Sequence, residues 1–238
     1  MTTLDGLRSA LVHHGALTTG GWLAGAVARV VIEPDGLERL FAAAGRQCGR
    51  ALLRAEPGWS ADQAARALLL AALPPARMPA AVDTAYQHGD AGEKLAVLKA
   101  LPLLPIGDAG LPLLRDALRT NDPRLVAAAL SPYATRLDDA AWRQGVLKCV
   151  FMGVPLEQVH GLDERADAEL AAMLDGFVRE RRAAGRTVPG DALTLLRRVV
   201  SLEQADATAG SQRAARPEKG DVTAVLDRVA PLEQDKEA

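Results

Sequence analysis

The sequence predicts an all-α protein: an array of about ten short antiparallel helices, built as an α-solenoid of the HEAT type or as an irregular orthogonal bundle. Three observations lead there. The 238 residues are 49% hydrophobic but only 3% aromatic, and Ala and Leu, both strong helix formers, carry most of the apolar count. Helix start and stop signals recur at short intervals along the whole chain. The nearest candidate for a strand, residues 27–32, sits inside a longer helical pattern, so little or no sheet is expected.

In chain order, the pattern places helices at 4–14, at 17–31 and, from Pro34-Asp35, at 34–53, where Pro57-Gly58 breaks the run. Ser60 followed by Gln63 has the form of a capping box ahead of a helix at 64–73, which Pro74-Pro75 closes. A helix at 79–88 follows, and Asp90 with Glu93 repeats the capping box before a stripe of Leu95, Val97, Leu98 and Leu101 that ends at Pro102. Residues 109–119 form the next helix, and Asp122-Pro123, an N-cap with proline at the first helical position, opens another at 125–130. Asp138 or Asp139 starts a helix at 140–152; the late helices are 165–184, ended by Gly185, and one from Pro189-Asp191 to about Leu202. Helix starts near 90, 108, 123 and 139 suggest a repeating helix pair, although no motif is shared from pair to pair. The expected organisation is a single helical domain over 1–202 and a polar, flexible tail over 203–238 with one possible short helix around Val222, Val225, Leu226 and Val229.

With 28 basic against 30 acidic residues there is no global field to attract nucleic acid, and none is expected as a partner. Cys48 and Cys149 stand alone in helical segments, which is neither a disulfide framework nor a zinc spacing, and both read as reduced, buried thiols. No stretch approaches the roughly 20 apolar residues of a membrane span, and the first residues lack a signal-peptide pattern, so a cytoplasmic, non-spanning protein is expected.

Nucleophile-elbow, phosphate-loop, dinucleotide-binding, zinc-protease and CxxC motifs are all missing, so no catalytic residue, metal site or cofactor is expected. His13 and His14 point about 100° apart on a helix and read as surface residues; His88 and His160 sit at helix ends that favour a cation. Lys148 is the only charged residue of an apolar segment at 145–154; in a buried helix its amine must reach water, pair with a carboxylate or meet an anionic ligand. Lys94 lacks the capping role that explains Glu93. Asn121 stands where a left-handed helix cap is common, and Arg179, Arg181, Arg182 and Arg186 crowd the last turns of a long helix.

The runs GEKLAVLKALPLLP (92–105), RTNDPRLVAAALSPY (119–133) and VLKCVFMGVPLEQVHGLDERAD (146–167), followed by FVRERRAAGRTVP, resemble the EboA family over about residues 92–189, with only a loose likeness before and after. The resemblance implies a metabolite traffic protein that helps move a secondary-metabolite precursor, alongside companions that include a prenyltransferase, isomerases and hydrolases. The segment Leu130-Ser131-Pro132-Tyr133 departs from the family pattern, in which a Glu-Asn pair often precedes the Pro-Tyr. Matching positions able to carry chemistry are Glu93, Lys94, Asn121, Lys148, Arg165, Arg181, Arg182 and Arg186. Of these, Lys94, Asn121, Lys148, Arg165 and Arg182 are the candidate ligand-binding residues.

The leading expectation is a non-catalytic accessory protein, with a small-molecule metabolite or the companion proteins as partners. The alternatives are a helical scaffold without a ligand and an enzyme of unrecognised type acting on a small anionic metabolite, for which Glu93 with Lys148 is the proton-transfer pair to test.

Overall fold

The computed structural model describes residues 2–211, with side chains described to 201. Among these residues there are twelve α-helices joined by short 3₁₀ turns and no strand; a single antiparallel bridge joins Leu52 to Ser60. The all-α expectation holds. The chain divides into two compact units after Leu137.

The first unit holds α1 (Leu4–His14), α2 (Trp22–Ile32), α3 (Leu37–Cys48), α4 (Ala61–Ala71), α5 (Met78–His88), α6 (Ala91–Ala100), α7 (Leu111–Arg119) and α8 (Pro123–Ala129). α1 starts and ends where the sequence places it, because Thr3 caps it and Gly15, at φ 82°, supplies the left-handed turn that stops it. α2 begins later than expected, at Trp22, since Gly20 at φ 75° cannot be part of a helix. α3 stops at Cys48 rather than near Leu53 because Gly49, at φ 76°, turns the chain away toward the Leu52–Ser60 bridge. Both capping boxes form: Ser60 donates its backbone N–H to Gln63 Oε1 at 3.2 Å, and Asp90 and Glu93 exchange bonds of 3.0 and 2.8 Å. α7 ends on Thr120, which is extended at φ −72°, ψ 163° and donates its hydroxyl to Ala117 O at 2.8 Å, so the cap position belongs to Thr120 and not to Asn121.

Most helix contacts in this unit join elements one or two apart in sequence, as short connections dictate. α1 against α4 is the exception, and it makes α4 the centre of the unit, touching α1, α2, α3, α5 and α6. Nine of the eleven α4 residues are buried, from Ala61 to Leu70, and four alanines among them let neighbouring helices approach closely.

The second unit holds α9 (Asp139–Met152), the four-residue α10 (Leu162–Arg165), α11 (Ala168–Ala183) and α12 (Gly190–Ser211). What reads as one helix from 165 is two, because Ala166 is extended and Asp167 then caps α11 by accepting from Leu170 N–H at 3.0 Å. α12 continues to Ser211, beyond the Leu202 where the composition turns polar; the remainder of the expected tail, with Val222–Val229, lies outside the described residues.

α9 departs from expectation most. The apolar segment at 145–154 predicts a helix buried on every side, yet Phe151 is 71% exposed and shares an outward strip with Gln144, Leu147 and Lys148. Trp142, Gly145, Val146, Cys149 and Val150 form the inward face. Lys148 therefore sits half-buried on the outward strip, and no carboxylate pairs with it among the described residues. Lys148→Met is accordingly expected to change the unfolding free energy by less than about 1 kcal/mol, as for an exposed lysine, in a urea titration.

Candidate functional site

The buried charges of the first unit gather on α4. Asp62 and Arg66, one turn apart, are 6% and 3% exposed in a helix otherwise lined by Ala and Leu. A charge in that setting must be paired, and each is. Arg66 Nη1 donates to Asp62 Oδ2 at 2.6 Å, Nε donates to Phe41 O at 3.0 Å, and Nη2 faces Glu93 Oε1 at 3.4 Å. Its guanidinium also lies 5.3 Å from the centre of the Phe41 ring. Asp62 accepts in addition from Ser60 Oγ at 2.5 Å. One arginine thus ties α4 to α3 and α6. The guanidinium has five N–H donors, and these contacts use three of them.

Lys99 on α6 adjoins this network. Its ammonium donates to Gly58 O and, at 2.6 Å, to Gln63 Oε1, and stands 4.4 Å from the centre of the Trp59 ring. Burial pushes its pKa from 10.5 down to about 8, with the Asp62 carboxylate pulling the other way. Between those two values the unfolded chain holds a proton that the folded chain has released, so stability rises with pH across that window. Urea unfolding at pH 7.5 and 10 is expected to show the wild type gaining stability relative to Lys99→Met as the pH rises; equal slopes would place the ammonium in ordinary solvent. Burial, with the Asp62 carboxylate adding to it, raises the Cys48 thiol to about 11, and in the second unit burial raises Cys149 to about 12, so both stay protonated.

Of the residues singled out from sequence, Glu93 enters the α4 network and Lys94 stands beside it on α6, half-buried with its amine 4.9 Å from the centre of the Tyr86 ring. Asn121 is exposed after α7. Lys148, Arg165 and Arg182 belong to the second unit, so the five candidates do not gather within one unit and Glu93 is divided from Lys148 in the same way. Arg165 bonds Asp139 Oδ1 at 2.6 Å and lies 4.8 Å from the centre of the Trp142 ring, holding α10 on the first turn of α9. Arg143 makes the parallel link to α11, contacting Asp167 at 2.5–3.1 Å and Glu169 at 2.8 Å; its hydrogen bonds hold the Asp167 carboxyl below its ordinary pKa. Arg181 donates twice to Thr187 O, at 2.9 and 2.8 Å, fastening the turn after α11, and Arg179 pairs with Asp175 at 3.1 Å. Arg182 is half-buried and Arg186 exposed.

Tyr133, in the segment that departs from the family pattern, accepts from Gly110 N–H at 3.1 Å and donates to Gly107 O. A Cβ on Gly110 would stand 2.8 Å from the Tyr133 hydroxyl, so glycine is required at that approach.

Residues 51–197 match the family described as metabolite traffic protein EboA. The chain belongs to this family. The match is wider than the likeness read from the motifs, and it takes in the whole Asp62–Arg66–Glu93–Lys99 network as well as the second unit as far as Arg197. No curated protein and no solved structure matches the chain. Among the described residues no group of His, Cys, Asp and Glu is arranged to hold a metal ion, and no helix is long and apolar enough to cross a membrane.

Proposed function

We propose that this EboA protein is a non-catalytic accessory of metabolite traffic, working in the cytoplasm with companion biosynthetic proteins encoded beside it and handling a small precursor. The observation that carries the reading is the family match over residues 51–197, whose description is metabolite traffic. The chemistry of the α4 network supports the non-catalytic part. Asp62 and Glu93 are both committed to Arg66 and to helix caps, and Lys99 is committed to Gly58 and Gln63, an arrangement suited to a rigid body more than to proton transfer.

Native mass spectrometry of the protein purified from its own host tests this directly. A co-purifying small molecule or a companion protein is the expected result. A companion without a small molecule would favour the scaffold alternative. A bare protein whose deletion leaves the distribution of every cellular metabolite unchanged would sink the proposal.

A further inference from the structure

Gly45 lies in the interior of α3, where alanine is the more stable residue. Neither sterics nor backbone explains the glycine. A Cβ there would meet its nearest neighbours at 3.5, 3.6 and 3.7 Å, ordinary contact distances. Those neighbours are Arg50 Nε, Arg66 Nη2 and Arg50 Nη2, so two guanidinium groups converge on the space that the missing side chain leaves.

That geometry holds Arg50 Nε and Arg66 Nη2 within about 7 Å of each other, a span that two N–H···O bonds and the edge of one oxyanion cover. Arg66 is 3% exposed and already oriented by Phe41 O, Asp62 and the Phe41 ring, so its free donors are fixed in direction. Glu93 Oε1 faces Nη2 at 3.4 Å, longer than a charge-assisted bond, while Glu93 Oε2 is committed to the Asp90 N–H, which leaves the second Nη2 proton unused. Arg50 is exposed, and among the described residues no carboxylate pairs with it. One guanidinium is buried and preorganised, and the other stands at the surface over Gly45.

We propose that Arg50 and Arg66 form an oxyanion site over Gly45, which takes the carboxylate or phosphate group of a small molecule. The assignment to cargo rests on the traffic reading, whereas the anion site itself rests on the geometry. Gly45 acts by leaving room: alanine fits there sterically and places a methyl group between the two guanidinium groups.

The test is isothermal titration of the purified full-length chain with inorganic phosphate and, separately, with acetate, at ionic strength held constant with chloride. Saturable binding of one equivalent is expected, and the anion that binds decides between phosphate and carboxylate. Gly45→Ala should melt no lower than wild type in chloride and bind at least about tenfold more weakly, and Arg50→Ala should show a similar loss. Wild-type affinity in either variant, or the absence of saturable binding of both anions to the wild type, would overturn the site. A neutral metabolite co-purifying equally with wild type and Gly45→Ala would overturn the assignment of the site to cargo while leaving the traffic reading in place.

Discussion

Arg66→Met is expected to lower the unfolding free energy by about 3–5 kcal/mol, because it leaves the Asp62 carboxylate buried without its charge partner. The apolar stem is kept, so the loss reports the guanidinium and not a cavity. Phe41 O also loses its buried donor, and Glu93 its contact from α4. Denaturant titration followed by circular dichroism measures the effect. The double variant Asp62→Leu with Arg66→Met distinguishes a costly orphan from a strong bond: removing both charges should restore much of the loss, since a buried pair contributes little beyond its own desolvation. A single-variant loss below about 1 kcal/mol would mean that water reaches the pair and that α4 is not the closed centre of its unit.

Trp142→Ala is expected to cost about 3–5 kcal/mol, the usual range for emptying a fully buried aromatic site. Trp142 is 0% exposed and serves two purposes, filling the inward face of α9 and providing the ring beneath Arg165. Its indole N–H is buried with no acceptor among the described residues, an unfavourable arrangement that phenylalanine would remove. Trp142→Phe should therefore cost clearly less than Trp142→Ala, although it is the smaller ring. Thermal melting of both variants checks the ordering, and equal losses would show that the indole nitrogen has a buried acceptor after all.

The candidate site was legible in parts that depended on local chemistry. Glu93 stood out from its spacing to Asp90, and the structure forms that capping box and then uses the same carboxylate against Arg66. Arg66 carries no comparable signal in the sequence, because ADQAARALLLA places Asp62 and Gln63 beside its single basic residue, whereas Lys148 is the only charged member of 145–154. Of the two, Arg66 is the buried one. Lys99 had no sequence signal. Its environment comes from Gly58, Trp59 and Gln63, which the chain brings to α6 only after it has turned at Gly49 and bridged Leu52 to Ser60. The family motifs were informative over 92–189, while the match extends to 51–197 and so encloses α4.

The sequence by itself determined the fold class, most helix boundaries and most of the caps. These depend on interactions within a few residues: Ala and Leu propensity, Asp or Ser accepting from the next turn, and glycine at positive φ. Only the tertiary structure decided which apolar helix is enclosed, that α1 folds onto α4, and that Arg50, Arg66 and the bare backbone of Gly45 meet. Burial and charge pairing are properties of neighbours far apart in the chain. An apolar segment such as α9 can leave Phe151 in solvent, while α4 encloses an ion pair that no periodicity announces.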